Sequence, residues 1–136
     1  ETLKILKDEG VWIEITNLIV PGWTDDMETI DKMCKWLAKH GFSDYPLHFS
    51  RFHPAHKLLH VKSTPLKTLL SAREIAKDRG IKQVYIGNVP EIDGENTHCP
   101  NCGQLLIQRK GYQIIKNDII DSNCPNCKTT IAGVWG

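Results

Sequence analysis

The 136-residue sequence predicts an α/β fold, an open parallel sheet of about three βα units followed by a small metal-stapled module. Three observations carry this prediction. Runs of β-branched residues alternate with helical stretches of about fifteen residues, the pattern of βα units. The texture changes after Gly87 into a polar stretch without periodicity. Two identical Cys-Pro-Asn-Cys turns then stand near the end, at 99–102 and 124–127.

Residues 1–10 read as the last turns of a helix already under way, closed at Gly10 by the left-handed conformation glycine adopts freely. The opening therefore predicts a chain that continues upstream. Val11 to Val20, bounded by Pro21-Gly22, reads as the first strand. Its alternation places Val11, Ile13, Ile15 and Ile19 on an apolar face to be covered by helices, and Trp12, Glu14, Thr16 and Leu18 on a mixed one. A carboxylate buried without a partner is costly, so Glu14 and Thr16 are expected to face a lumen or cavity. Thr24 is the expected N-cap of a helix from about Asp25 to His40, with Met27, Ile30, Met33, Cys34 and Leu37 on its inner stripe and Trp36 also in the core. Leu47 to Phe52 is the second strand. A further helix is expected to open at Thr64-Pro65 and run to Arg79, burying Leu66, Leu69, Leu70, Ile75 and Ala76. Ile81 to Gly87 is the third strand. Three strands are too few to close a (β/α) barrel, which takes about eight, so the sheet is either doubly wound or an incomplete piece of a barrel.

The linker falls at 88–97, dividing the chain into residues 1–90 and 91–136. The second part is expected to carry a hairpin, Leu105–Arg109 with Tyr112–Ile115. In it Cys99, Cys102, Cys124 and Cys127 have metal spacing: each Cys-x-x-Cys turn aims two thiolates at one point, and the 21 residues between the pairs suffice to bring the turns together. A structural zinc site is predicted, with iron as the competitor, because four thiolates suit both metals and leave no open position for substrate. A module of about 40 residues has too little core to fold without such a staple.

Composition excludes other classes. With 17 basic against 16 acidic residues the net charge is +1, so nucleic acid is an improbable partner. No apolar run approaches the roughly 20 residues that span a bilayer. Paired Cys-x-x-Cys turns and an odd fifth cysteine, Cys34, suit a reducing cytoplasm better than a disulfide framework. Of the six histidines, His40 is accounted for by a helix C-terminus and His98 by proximity to the first knuckle. His53, His56 and His60 fall in the loop after the second strand, where βα arrays build their sites. No catalytic residue is assigned.

Four stretches together, Ile15-Thr-Asn-Leu-Ile-Val-Pro-Gly-Trp-Thr-Asp-Asp26, His48-Phe-Ser-Arg-Phe-His-Pro54, Tyr85-Ile-Gly-Asn-Val-Pro90 and Ala132-Gly-Val-Trp135, combine with the two knuckles into a pattern. It resembles the C-terminal half of the AmmeMemoRadiSam-system radical SAM proteins and, more distantly, pyruvate formate-lyase activating enzymes. The resemblance implies a partial (β/α) barrel fragment followed by a zinc ribbon. It further implies S-adenosylmethionine and a 4Fe-4S cluster for the full-length enzyme, with Thr16, Asn17 and His53 at the S-adenosylmethionine site. The chain departs from the pattern twice. Thr16 stands where activating enzymes carry an arginine. The cluster motif Cys-x-x-x-Cys-x-x-Cys is missing, since consecutive cysteines here are 65, 3, 22 and 3 apart. The partner implied is the N-terminal half of the same protein, with self-association through the bare edge of the first strand as an alternative. A freestanding zinc-ribbon module that binds protein or nucleic acid is the rival function.

Overall fold

A computed structural model describes residues 1–90 and 92–135. It contains two three-stranded sheets. In the first, β1 (Ile15–Ile19), β2 (Leu47–Arg51) and β3 (Val84–Gly87) lie in chain order and all pair parallel, with Thr16 beside His48 and His48 beside Tyr85. Between them run α2 (Met27–Lys39) and α3 (Leu66–Asp78), and the short α1 (Thr2–Asp8) precedes β1. In the second sheet, β4 (Thr97–His98), β5 (Leu105–Lys110) and β6 (Gln113–Asn117) pair antiparallel.

The sheet's two faces differ as the alternation of a strand requires. Leu47, Phe49, Ile86 and Ile19 turn toward the helices and are buried with Ile30, Cys34 and Leu37 of α2 and Leu69, Ala72 and Ala76 of α3. Arg79 at the end of α3 donates to Asp31 of α2 at 2.5 Å, clamping the helices outside this core. Among the described residues the other face carries no helix; Thr16 and Leu18 are exposed there, and His48 and Tyr85 are half-buried. β1 is an edge strand, the arrangement that leaves backbone N–H and C=O groups along one side free to pair. The outer edge of β3 is partly occupied, because the Ile86 amide donates to the Gly94 carbonyl. A Cβ on Gly94 would sit 2.8 Å from the Ile86 oxygen, so only glycine lets the linker run this close.

Several predicted boundaries move. The first strand begins at Ile15 rather than Val11, and the third at Val84 rather than Ile81. The N-cap of α2 is Asp26, whose carboxylate accepts from the Thr29 amide, and not Thr24. The Thr24 hydroxyl instead accepts from the Val20 amide and donates to the Leu18 carbonyl, closing the loop after β1. An aspartate is the stronger acceptor at the positive helix end, which frees the threonine for the turn. Trp36 lies at the surface of α2, stacked between His40 and Phe42, rather than in the core. Leu66, Leu70 and Ile75 are only half-buried, with Ala72 taking the central place on α3. No helix among the described residues is long and apolar enough to cross a membrane.

Candidate metal centre and strand-end site

The two knuckles are built alike. In the first, the Cys99 amide donates to the Gln104 carbonyl and the Gly103 amide to the Cys99 carbonyl; in the second, Cys124 donates to Thr129 and Lys128 to Cys124. The residue after each second cysteine takes the left-handed conformation, Gly103 at φ 73° and Lys128 at φ 61°. This turn points both thiols of a knuckle the same way. The hairpin β5–β6 and the buried Leu106, Ile107 and Ile131 hold one knuckle against the other.

All four sulfurs lie within 4.8 Å of one another, with Cys99 to Cys127 at 3.5 Å and Cys102 to Cys124 at 3.7 Å. A tetrahedral zinc with Zn–S bonds of about 2.3 Å requires sulfurs about 3.8 Å apart, so the cage has the size of the ion. Its electrostatics also suit a cation. The Thr129 hydroxyl, then the Asn101 side chain and the Thr129 amide, lower the Cys127 thiol to about 5. The Gln104 amide and the Asn126 side chain hold Cys102 below its ordinary value. Burial pushes Cys99 up to about 11, because a thiolate held away from water is costly. The asparagines of the repeated Cys-Pro-Asn-Cys thus act crosswise, each on the outer cysteine of the opposite knuckle. Four cysteines so placed form a metal-binding site that fits a zinc ribbon. His98 stays outside it, 3.5 Å from Asp93.

The other predicted residues lie apart along the sheet: Thr16 and Asn17 are the second and third residues of β1, and His53 follows the C-terminal end of β2. Thr16 is exposed on the open face. Asn17, one residue on, turns to the helix side, where its amide donates to the Met33 sulfur at 3.7 Å and its Oδ1 is buried without a partner. His53 is exposed, its Nε2 3.4 Å from the Asn88 carbonyl. Thr16 and Asn17 therefore do not share a face. The frame at the C-terminal strand ends, near His53, comes from Thr64, which sequence reasoning took only as a helix start. Fully buried, it accepts from the Phe52 amide at 2.9 Å and donates to the Ile19 carbonyl at 2.5 Å, and its own carbonyl accepts from Arg51 Nε. Asn88, at φ 63°, adds β3 to the frame by donating to the Arg51 carbonyl. The only sequence sign of this role is a threonine before the Pro that opens a helix.

No protein-family model matches the chain. It is similar to an uncharacterized protein of Methanocaldococcus jannaschii, 46% identical over 129 residues, a match that takes in 93% of the chain and 39% of that protein. The chain spans about two fifths of the length of this relative.

Proposed function

We propose that the chain is the C-terminal part of a radical SAM enzyme: the last strands of a partial (β/α) barrel, carrying a structural zinc ribbon. The observation that supports it most is the arrangement of β1–β3, parallel in chain order, with helices on one face only, a partly polar opposite face, and β1 bare along one edge. A parallel sheet ordinarily has both faces covered, so an uncovered face suits a sheet that continues around a lumen. The longer relative agrees with such a continuation.

The cysteines of this chain do not fit a 4Fe-4S cluster. Four are committed to the ribbon, and Cys34 is fully buried with its thiol pushed up to about 11 by burial. The cluster would belong to the remainder of the enzyme. With S-adenosylmethionine it supplies one-electron cleavage of a sulfonium. For this chain the proposal assigns ligand contacts to Thr16 and His53, both exposed, whereas Asn17, turned to the helix side against Met33, is left without one. Thr64 and Asn88 hold the C-terminal strand ends beside His53. The N-terminal remainder is the proposed partner, pairing along β1.

The test begins with the reading frame upstream, where a Cys-x-x-x-Cys-x-x-Cys triplet is expected. The longer protein, reconstituted anaerobically, should yield 5′-deoxyadenosine, with Thr16→Ala and His53→Ala weakening use of S-adenosylmethionine; the 136-residue chain should yield none. A missing triplet, or a cluster assembled on this chain alone, would sink the proposal. The rival, a zinc-ribbon module that docks on another protein, is favoured by the exposed Ile114 and Ile115 on β6 beside the fully exposed Tyr112. It gains if the chain stays monomeric over a wide concentration range while amides along β1 exchange slowly.

A further inference from the structure

On the open face of the sheet, across from Thr16 on the neighbouring strands, the ribbon leans over His48 and Tyr85 and borders a cleft of about 560 Å³. Trp12, Glu14, His48, Tyr85, Arg109 and Trp135 line it. None of these residues belongs to the metal cage or to the strand-end frame. The volume falls within the roughly 300–1,000 Å³ of small-molecule sites, which are largely apolar with a few convergent polar groups.

The walls are fixed before any ligand arrives. The pairing of β5 with β6 skips Ile115, a bulge opposite Gln108 and Arg109, and such bulges re-aim the neighbouring side chain. The Arg109 amide donates to the Asn96 side chain, while its Nη1 donates to the Glu95 carbonyl at 2.8 Å and the Thr97 hydroxyl at 2.7 Å. The guanidinium lies 5.8 Å from the centre of the Tyr85 ring. Tyr85 shares the Thr97 hydroxyl at 2.8 Å and stacks on His48 at 5.0 Å, and His48 Nε2 lies 3.1 Å from Glu14. Trp135 donates its indole N–H to the Ile131 carbonyl and folds over Gly133, where a Cβ would meet the ring at 2.5 Å. Gly87 leaves the floor without a side chain.

Charge and shape then select the ligand. Glu14 already has His48 as its partner. Arg109 has no carboxylate within salt-bridge distance among the described residues, and its Nε and Nη2 donors make no hydrogen bond there. A planar fork with donors to spare matches a carboxylate in two-pronged fashion. Trp12 and Trp135 offer flat apolar surface to a ring. The geometry points to a binding site for a small aromatic carboxylate, its ring between Trp12 and Trp135 and its carboxylate on Arg109. The site stands whether or not the chain is part of a radical SAM enzyme.

The test is isothermal titration of the zinc-supplied protein with indole-3-propionate, its neutral amide and acetate, together with the NMR shifts of the Trp12 and Trp135 indole N–H groups. The acid is expected to bind and move both signals, with amide and acetate at least about tenfold weaker. Arg109→Gln should weaken the acid about 10- to 100-fold, the value of a hydrogen-bonded charge. Because Arg109 also ties the ribbon down, Gly87→Val serves as the second variant. Its Cβ meets only Ser50 Oγ, at an ordinary 3.5 Å, so it fills the cleft without straining the strand, and it should abolish binding. Failure of the acid to bind at millimolar concentration, equal binding of the amide, or unchanged affinity in Gly87→Val would each overturn the assignment.

Discussion

Thr64 offers the sharpest test of how the strand ends are held. Its hydroxyl is fully buried and serves two backbone groups at once, the Phe52 N–H after β2 and the Ile19 carbonyl ending β1. Thr64→Val keeps the shape and removes both bonds. A buried donor left without a partner costs about 1–3 kcal/mol, and the carbonyl adds to this, so the expected loss is about 2–4 kcal/mol. Thr64→Ser keeps the hydroxyl and removes one methyl, for about 1 kcal/mol. Urea unfolding of the metal-saturated protein, followed by far-ultraviolet circular dichroism, measures both. The order Thr, Ser, Val in falling stability is expected, with the larger gap between Ser and Val. Were Val as stable as Ser, the hydroxyl would be carrying no weight and the account of the frame would fail.

Elemental analysis should find one zinc or iron per chain, and chelation should accelerate amide exchange throughout β4–β6 while loosening the knuckles first. Lys128→Gly should tighten metal retention by about 0.5–1 kcal/mol, because a lysine in the left-handed region costs about 1–2 kcal/mol and glycine gives part of that back in chain entropy; Gly103→Ala should weaken it by about 1 kcal/mol. Competition against a chelator of known affinity reads both. Asp31→Asn should destabilise the protein at neutral pH. Arg79, then Lys35, hold the Asp31 carboxyl below its ordinary 3.8, so the stability it adds is present above that value and fades as pH falls through the lower folded one. Denaturation series at falling pH should therefore show wild type and variant converging; a constant gap would contradict the ion pair.

Much of this was legible in the sequence because local signals and tertiary demands agreed. β-Branched runs bounded by glycine and proline placed three strands, and the order Ile30, Cys34, Leu37 placed the buried side of α2. That the four cysteines would converge on one point was legible outright, since a repeated Cys-x-x-Cys has few other uses. What escaped were features fixed by long-range partners. Thr24 and Asp26 are both good caps, and only the Leu18 carbonyl, six residues back, decides that Thr24 is used elsewhere. Thr64 acquires its role from residues 12 and 45 positions away. The cleft beneath the ribbon was hidden for the same reason: Glu14 was expected to face a cavity, yet nothing local says that Arg109 and Trp135 would form its far wall. Alternation alone already implied that neighbours Thr16 and Asn17 point to opposite sides.

The ribbon is not suspended from the sheet by its linker alone. Gln83 donates to the His98 carbonyl, Tyr85 shares a hydrogen bond with Thr97, and Gly94 pairs with Ile86, so β3 is joined to the residues just before the first knuckle. The sheet and the metal are therefore thermodynamically linked. If only the docked ribbon holds the ion, each tenfold rise in free metal beyond the dissociation constant adds about 1.4 kcal/mol to the whole docked assembly. Part of that sum is felt at β3, which has the fewest residues of the three parallel strands. The persistence of the α/β layer in a cell is thus set partly by metal supply, and a starved cell would hold this protein with its sheet intact but its third strand closer to fraying.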